Sequence, residues 1–163
     1  MQTKTALITG TSRGIGSSIK EILQNDEIKI LSPSRNELDL SSSESINKFL
    51  SEISEDIDII VNNAGILKVG KAEEFSVKDF QDILQVNVLA PFQIISGIVG
   101  GMKRKKFGRI VNISSIWGEK SKSGRSLYST SKAALNALTR SFAVEFAEHN
   151  ILVNSIAPGY IET

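Results

Sequence analysis

A tyrosine and a lysine stand one helical turn apart at Tyr128 and Lys132, inside the segment Leu127-Tyr-Ser-Thr-Ser-Lys-Ala-Ala-Leu135 that opens a long helical pattern. The hydroxyl residues there are poor helix formers, so propensity does not explain the choice. Chemistry does. A free phenol titrates near pH ~10 and is a poor acid at neutral pH. An ammonium one turn away stabilises its phenolate electrostatically, which predicts a phenol able to give up a proton.

A second constellation lies near the start. Thr9-Gly10-Thr11-Ser12-Arg13-Gly14-Ile15-Gly16 follows a β-rich run and leads into the helical stretch Ser17–Gln24. Strand, glycine turn and helix in this order aim free N–H groups and a positive dipole end at an anion, and the glycines let a pyrophosphate approach the backbone. The same spacing also fits an ordinary glycine-rich βα turn. Gly10-Thr-Ser12-Arg-Gly14 further fits the G-x-S-x-G nucleophile elbow of hydrolases. That reading needs a histidine for Ser12, and the chain has just one, His149, which also reads as a simple helix-terminus residue.

Asn87 is a subtler candidate. It falls on the apolar face made by Phe80, Ile83, Leu84, Val88 and Pro91, where a buried amide needs partners. Pro91 has no N–H to give the Asn87 carbonyl, so the helix is predicted to bend there and the carbonyl to be free for a water. A purely structural kink is the alternative.

These residues need a scaffold, and the pattern supplies one. Short β-rich runs at Thr5–Thr9, Ile28–Ser32, Ile57–Val61, Arg109–Ile113 and Ile151–Ala157 alternate with helical patterns, which predicts a parallel sheet covered on both faces. Ser41-Ser-Ser-Glu44 reads as a capping box before the helical face Ile46, Phe49, Leu50 and Ile53. The link from Ser34 to Leu40 is too brief for a crossover helix. Either a minimal strand at Leu38–Leu40 follows, or that sheet edge is irregular.

With 163 residues and 40% hydrophobic content, one domain spanning 1–163 is expected. A net charge of +1 points to neither nucleic acid nor an anionic membrane as partner, and Lys103-Arg104-Lys105-Lys106 reads as a solvated helix end. The absence of cysteine excludes disulfides and thiolate metal sites, and no metal site is expected. The apolar run Val88–Met102 reads as too short and interrupted for a membrane span, and the first strand begins too early for a signal peptide, so a cytoplasmic protein is expected.

Five motifs occur in one order: the glycine turn, Asn62-Asn63-Ala64-Gly65, Ser115, Tyr128-x-x-x-Lys132 and Pro158-Gly159. In this the chain resembles the short-chain dehydrogenase/reductase family from Thr5 to Thr163, most nearly the 3-oxoacyl carrier-protein reductases and related ketoreductases. The resemblance implies a Rossmann-type doubly wound parallel sheet. It implies hydride transfer between a nicotinamide cofactor and a carbonyl or alcohol, with Tyr128 protonating the carbonyl oxygen and Lys132 bonding the nicotinamide ribose. By the family's S-x-x-G pattern at Ser115-Ile-Trp-Gly118, Ser115 would meet the substrate oxygen and Ser114 would be structural. Asn87 would link Lys132 to solvent through a water.

For the cofactor, the resemblance puts Gly10, Ser12, Arg13, Gly14, Ile15 and Gly16 at the phosphates and Asp39-Leu40 beside the adenine. Asn62, Asn63, Ala64 and Gly65 would line the channel, and Pro158, Gly159, Ile161 and Thr163 would meet the nicotinamide. Members that prefer NAD carry an acid at the end of the second strand, where this chain has Ser34-Arg35, with Arg13 in the glycine turn. Two guanidinium groups with no carboxylate against them suit a 2′-phosphate, so NADPH or NADP is expected ahead of NAD, unless either arginine simply faces solvent. Trp117 and Leu67 are either pocket walls or core. The family continues past the Pro-Gly segment through a substrate-covering loop, a helix and a last strand. The resemblance therefore implies a sheet without that strand and lid, either a fragment or a protein that has lost its lid. Such a chain is expected to bind NADPH, to reduce carbonyls weakly and to form homo-oligomers through an exposed edge or its long helices.

Overall fold

The structure, a computed structural model, describes residues 3–26 and 28–161. Strands β1 (Thr5–Ile8), β2 (Lys29–Leu31), β3 (Ile59–Asn62), β4 (Gly108–Ile113) and β5 (Ile151–Ile156) form one sheet in the order β2-β1-β3-β4-β5, with every pairing parallel. Helices α1 (Gly14–Asn25), α2 (Ser43–Glu52), α3 (Val77–Leu84), α4 (Ala90–Lys105) and α5 (Ser126–Phe146) make the crossovers. All five expected runs are strands, within a residue or two at each end.

Alternation along the strands builds two cores. Leu7, Ile60, Ile110, Ile151 and Val153 face one side and pack with Ile46 of α2, Ile94, Ile95 and Met102 of α4, and Phe142 and Phe146 of α5. Ala6, Ile8, Val61 and Ile113 face the other side, with Ile19 and Leu23 of α1 against them. β5 is an edge strand, and Leu152, Asn154 and Ile156 on one of its faces are exposed.

Two local expectations change. The cap of α2 is Ser42, whose side chain accepts from Ser45 N–H, so the Ser41–Glu44 box does not form. Leu38–Leu40 forms no strand; the irregular alternative holds, and Leu38 is buried in the larger core.

The bend before Pro91 takes a specific form. Gln85–Leu89 is a π turn between α3 and α4, with Ala90 N–H reaching back to the Gln85 carbonyl and Pro91 in the first turn of α4. An extra residue in one turn absorbs the bond that proline cannot make. Val77–Lys105 is thereby one 29-residue helix, longer than the apolar run in the sequence suggested and long enough to cross a membrane. Its buried residues, Ala90, Ile94, Ile95 and Met102 among them, pack on the sheet instead.

Candidate active site

Because all strands run parallel, their C-terminal ends share one edge of the sheet, and the chain turns in opposite directions from β1 to β2 and across to β3. A crevice opens at such a switch point. It is a cavity of about 850 Å³, lined by Thr9, Gly10, Thr11 and Ser12 after β1, Ser32 to Arg35 and Glu37 to Ser41 after β2, Ala64 to Ile66 after β3, Lys20 of α1, Lys78 and Asp82 of α3, and Val86. That size is within the range of about 300–1,000 Å³ common for small-molecule sites.

The glycine turn is shaped by sterics. Gly10 and Gly14 have φ of 70° and 58°, which favours glycine. A Cβ on Gly16 would lie 2.2 Å from the Gly10 carbonyl oxygen and 2.4 Å from Asn63 Nδ2, so α1 can approach the turn this closely only without a side chain. Asn63 Nδ2 donates to the carbonyls of Thr9 and Gly10 at 3.0 and 2.9 Å, and the Thr9 hydroxyl accepts from Asn63 and Ala64 N–H at 3.1 Å each. Asn63 is thus a clamp behind the turn and does not line the cavity. Asn62 does not line it either: it is buried, and its Nδ2 donates to Asn112 Oδ1 at 2.9 Å. Asn62 ends β3 and Asn63 follows it, and each amide is held by partners in the neighbouring strands and glycine turn.

Of the expected cofactor residues, Gly10, Ser12, Arg35, Asp39, Leu40, Ala64 and Gly65 line the cavity. Gly14, Ile15 and Gly16 lie behind it in the first turn of α1, and Arg13 is an exposed N-cap whose side chain makes no capping bond. The second strand's end is not free of carboxylates. Arg35 Nε lies 3.8 Å from Asp39 Oδ1, and Glu37 lines the same cavity. Lys20, Glu37, Lys78 and Val86 were not read from the sequence. Glu37 had a visible signal, since Ser34-Arg-Asn-Glu37 is itself an S-x-x-E pattern.

At the other end of the crevice two of the expected catalytic residues, Asn87 and Lys132, meet at Gly65. A Cβ there would lie 3.2 Å from Asn87 Oδ1 and 3.5 Å from Lys132 Nζ. Asn87 is 1% exposed. Its Oδ1 accepts from Ile66 N–H at 2.9 Å, and its Nδ2 donates to the Ile66 carbonyl at 2.9 Å and to Ser131 Oγ at 3.0 Å. Ser131, also missed in the sequence, passes the connection on by donating to the Tyr128 carbonyl at 2.8 Å. Ser115 caps the turn Ile116–Gly118, its Oγ accepting from Trp117 N–H at 3.2 Å. Ser114 Oγ donates to the Lys132 carbonyl at 3.4 Å, a structural role as expected.

Lys132 Nζ donates to the Ile113 carbonyl at 2.7 Å and lies 5.7 Å from the Tyr128 ring centre. Burial pushes its pKa down to about 8. The phenol departs from the expectation. Burial raises the Tyr128 pKa above its ordinary value, while the Ser115 hydroxyl and the Arg125 charge pull the other way. Desolvation outweighs both, and Lys132 spends its hydrogen bond on the end of β4.

Pro158 accepts from Ile116 N–H at 3.0 Å, which sets the Pro-Gly segment beside the Ser115 turn, and Tyr160 meets Trp117 edge-on. Gly159 and Ile161 are exposed, and none of this segment lines the cavity. Thr163 lies outside the described residues. Neither Trp117, half-buried, nor Leu67, exposed, is core. His149 precedes β5 and so sits at the opposite end of the sheet from Ser12, where it pairs with Glu148 at 3.3 Å. A serine-hydrolase pair cannot form across that distance.

Comparison with known proteins agrees with this geometry. Residues 34–163 match the short chain dehydrogenase family. A 3-oxoacyl-[acyl-carrier-protein] reductase of Aquifex aeolicus is 37% identical, the alignment covering 100% of this chain and 76% of the relative. Among solved structures, a short-chain dehydrogenase from Streptomyces avermitilis superposes with a TM-score of 0.95 at 29% identity, over 100% of this chain and 68% of the other. A 4-hydroxyisoleucine dehydrogenase complexed with NADH gives 0.94 at 31% identity, over 98% and 77%. A family match over most of the residues, joined to a relative aligned over the whole chain, makes this protein a member of the short chain dehydrogenase family, an NAD(P)-dependent oxidoreductase acting on CH–OH groups.

Proposed function

We propose that the protein is an NADPH-dependent carbonyl reductase with Tyr128 as proton donor, acting on a small-molecule ketone such as a 3-oxoacyl compound. The observation that supports it most is the meeting of Asn87 and Lys132 at Gly65, with the Tyr128 ring centre 5.7 Å from Lys132 Nζ and the Ser115 hydroxyl beside the phenol, at the end of a crevice whose glycine turn leaves no room for a Cβ. The glycine turn, Ala64, Gly65, Asp39 and Leu40 would hold the dinucleotide, with Arg35 toward a 2′-phosphate and the Pro158–Ile161 segment toward the nicotinamide. The cofactor, when bound, supplies or accepts the hydride.

The residues of the chain do the rest. Ser115 orients the substrate oxygen by hydrogen bonding. Tyr128 gives its proton to that oxygen as negative charge builds on it, and a phenol whose pKa is raised keeps its proton until then, which suits the reductive direction. Lys132, with its ammonium near the ribose, stabilises the phenolate left behind, and Asn87 holds the Ile66 loop against α5 while its carbonyl serves the proton path. A homo-oligomer built on the β5 edge or on the exposed Leu89 and Phe92 is part of this reading.

Tyr128→Phe tests it. The variant keeps the ring packing and loses the transferable proton, so NADPH-driven reduction of a 3-oxoacyl thioester is expected to vanish while NADPH affinity measured by calorimetry stays within about twofold. Retained turnover would remove Tyr128 from the role of acid. A second reading, a cofactor binder with weak turnover, is favoured by the exposure of Leu67, Ile161 and Tyr160, the last of them beside Trp117 in the Ser115 turn. Binding and turnover measured on the same sample separate the two.

A further inference from the structure

The turn that leads into α5 gathers positive charge beside the phenol. Glu119-Lys-Ser-Lys-Ser-Gly-Arg125 holds three cations and ends three residues before Tyr128. Arg125 is the half-buried N-cap residue of α5, and its side chain makes no capping bond. Its backbone is fixed, donating to the Lys122 carbonyl at 3.1 Å and accepting from Ser129 N–H at 2.8 Å, and Gly70 N–H braces the same turn through the Gly124 carbonyl at 3.2 Å. The Arg125 charge reaches the Tyr128 hydroxyl. Lys122 reaches the segment after Pro158, where its Nζ donates to the Tyr160 hydroxyl at 3.4 Å and Tyr160 in turn meets Trp117 of the Ser115 turn.

None of these cations is answered by an acid. Among the described residues, Lys120, Lys122 and Arg125 make no ion pair. Two neighbouring carboxylates are engaged elsewhere, Glu119 accepting from the buried Asn136 amide at 2.8 Å and Glu74, beside Gly70, accepting from Lys71 N–H at 3.0 Å. A half-buried guanidinium without a counter-ion has lost water and gained no partner for its charge, and an anion arriving from solvent would be held by charge-assisted hydrogen bonds.

We propose that Arg125, with Lys122 in the same turn, binds an anionic group of the substrate, a carboxylate or phosphate a few bonds from the reacting carbon. The inference rests on reading Ser115 and Tyr128 as the groups that hold the reacting oxygen. Arg125 precedes the phenol by about one helical turn, so one small molecule can span both. A neutral ketone or ester gains nothing from the guanidinium, so the turn selects small oxo or hydroxy acids, or their phosphate analogues, over uncharged carbonyl compounds. Lys120, exposed in the same turn, adds to the field that draws an anion in.

Trp117 is the chain's single tryptophan, and its fluorescence reports on this corner. The probes are two pairs alike in shape and different in charge, acetoacetate with its methyl ester and dihydroxyacetone phosphate with dihydroxyacetone, titrated with NADP⁺ present and assayed as substrates with NADPH. A charged member is expected to bind at least about tenfold more tightly than its neutral counterpart, and the pair in which this happens tells carboxylate from phosphate. Arg125→Gln should remove most of that advantage while leaving the neutral member almost unchanged, and Arg125→Lys should keep part of it. With no capping bond to lose, neither change disturbs the helix start. The charged-to-neutral ratio of kcat/KM should fall in parallel. No preference for charge in either pair, or equal losses for charged and neutral members in Arg125→Gln, would overturn the proposal. A charge preference that Arg125→Gln abolishes, together with turnover that Tyr128→Phe leaves intact, would keep the anion site and overturn the reading of the phenol instead.

Discussion

Lys132→Met removes an ammonium that folding buries to 3% exposure. Burial brings the pKa of this lysine from the ordinary 10.5 down to about 8. The folded-state pKa is the lower one, so between pH ~8 and ~10.5 the unfolded chain holds the proton more tightly, and stability rises with pH across that window. Below the window both states are protonated and the penalty is constant, about 3 kcal/mol for a shift of this size. Subtracting roughly 1 kcal/mol for the lost bond to Ile113, the methionine variant is expected to be more stable than wild type by about 2 kcal/mol at pH 7, though without turnover. From pH 8 to 9.5 the wild type should recover about 1.5 kcal/mol of that difference. Tyr128 acts in the other direction, because its raised pKa means stability lost as pH climbs, but only above the ordinary phenol value near ~10. Urea denaturation of both proteins at half-unit steps from pH 7 to 9.5 gives the difference directly, and groups common to both cancel. A difference that stays flat over this range would show that Lys132 keeps its solution pKa in the fold and would refute the burial argument.

Three further changes probe the scaffold and the cofactor end. In Gly16→Ala the new methyl meets the Gly10 carbonyl and Asn63 Nδ2, so calorimetry should show dinucleotide affinity falling at least tenfold and thermal melting should show a lower Tm; unaltered binding would mean the turn yields freely. Asn87→Asp sets a buried carboxylate against the Ile66 carbonyl, and denaturant unfolding is expected to report a loss of about 3 kcal/mol or more, a cost below 1 kcal/mol being inconsistent with the bonds described. Arg35→Asp should lower the NADPH-to-NADH affinity ratio about tenfold, and an unchanged ratio would show that Arg35 serves only Asp39.

Much of this protein is written locally. Runs of β-branched residues bounded by turn signals become strands because no distant contact is needed to favour an extended backbone there, and their alternation with helices already implies a parallel sheet. The glycine turn is equally local, since Gly10 and Gly14 take conformations that side chains resist. Tyr128 and Lys132 are neighbours by helix geometry alone.

Other features depend on what the chain brings together from afar. Asn62 and Asn63 are adjacent and of the same type, yet one is buried against Asn112 and the other clamps the glycine turn, a division made by β4 on one side of β3 and the turn after β1 on the other. Ser131 looks like one more hydroxyl in a polar run until the fold sets Asn87 against it, 44 residues away. Ser34-x-x-Glu37 and Ser41-x-x-Glu44 are the same pattern, and only the packing of Leu38 into the core and the choice of Ser42 as cap decide that the first closes and the second does not. The pKa values of Tyr128 and Lys132 are the clearest case. Spacing places a lysine beside the phenol, but burial is a property of every element packed around the pair, and here desolvation outweighs the Ser115 hydroxyl and the Arg125 charge.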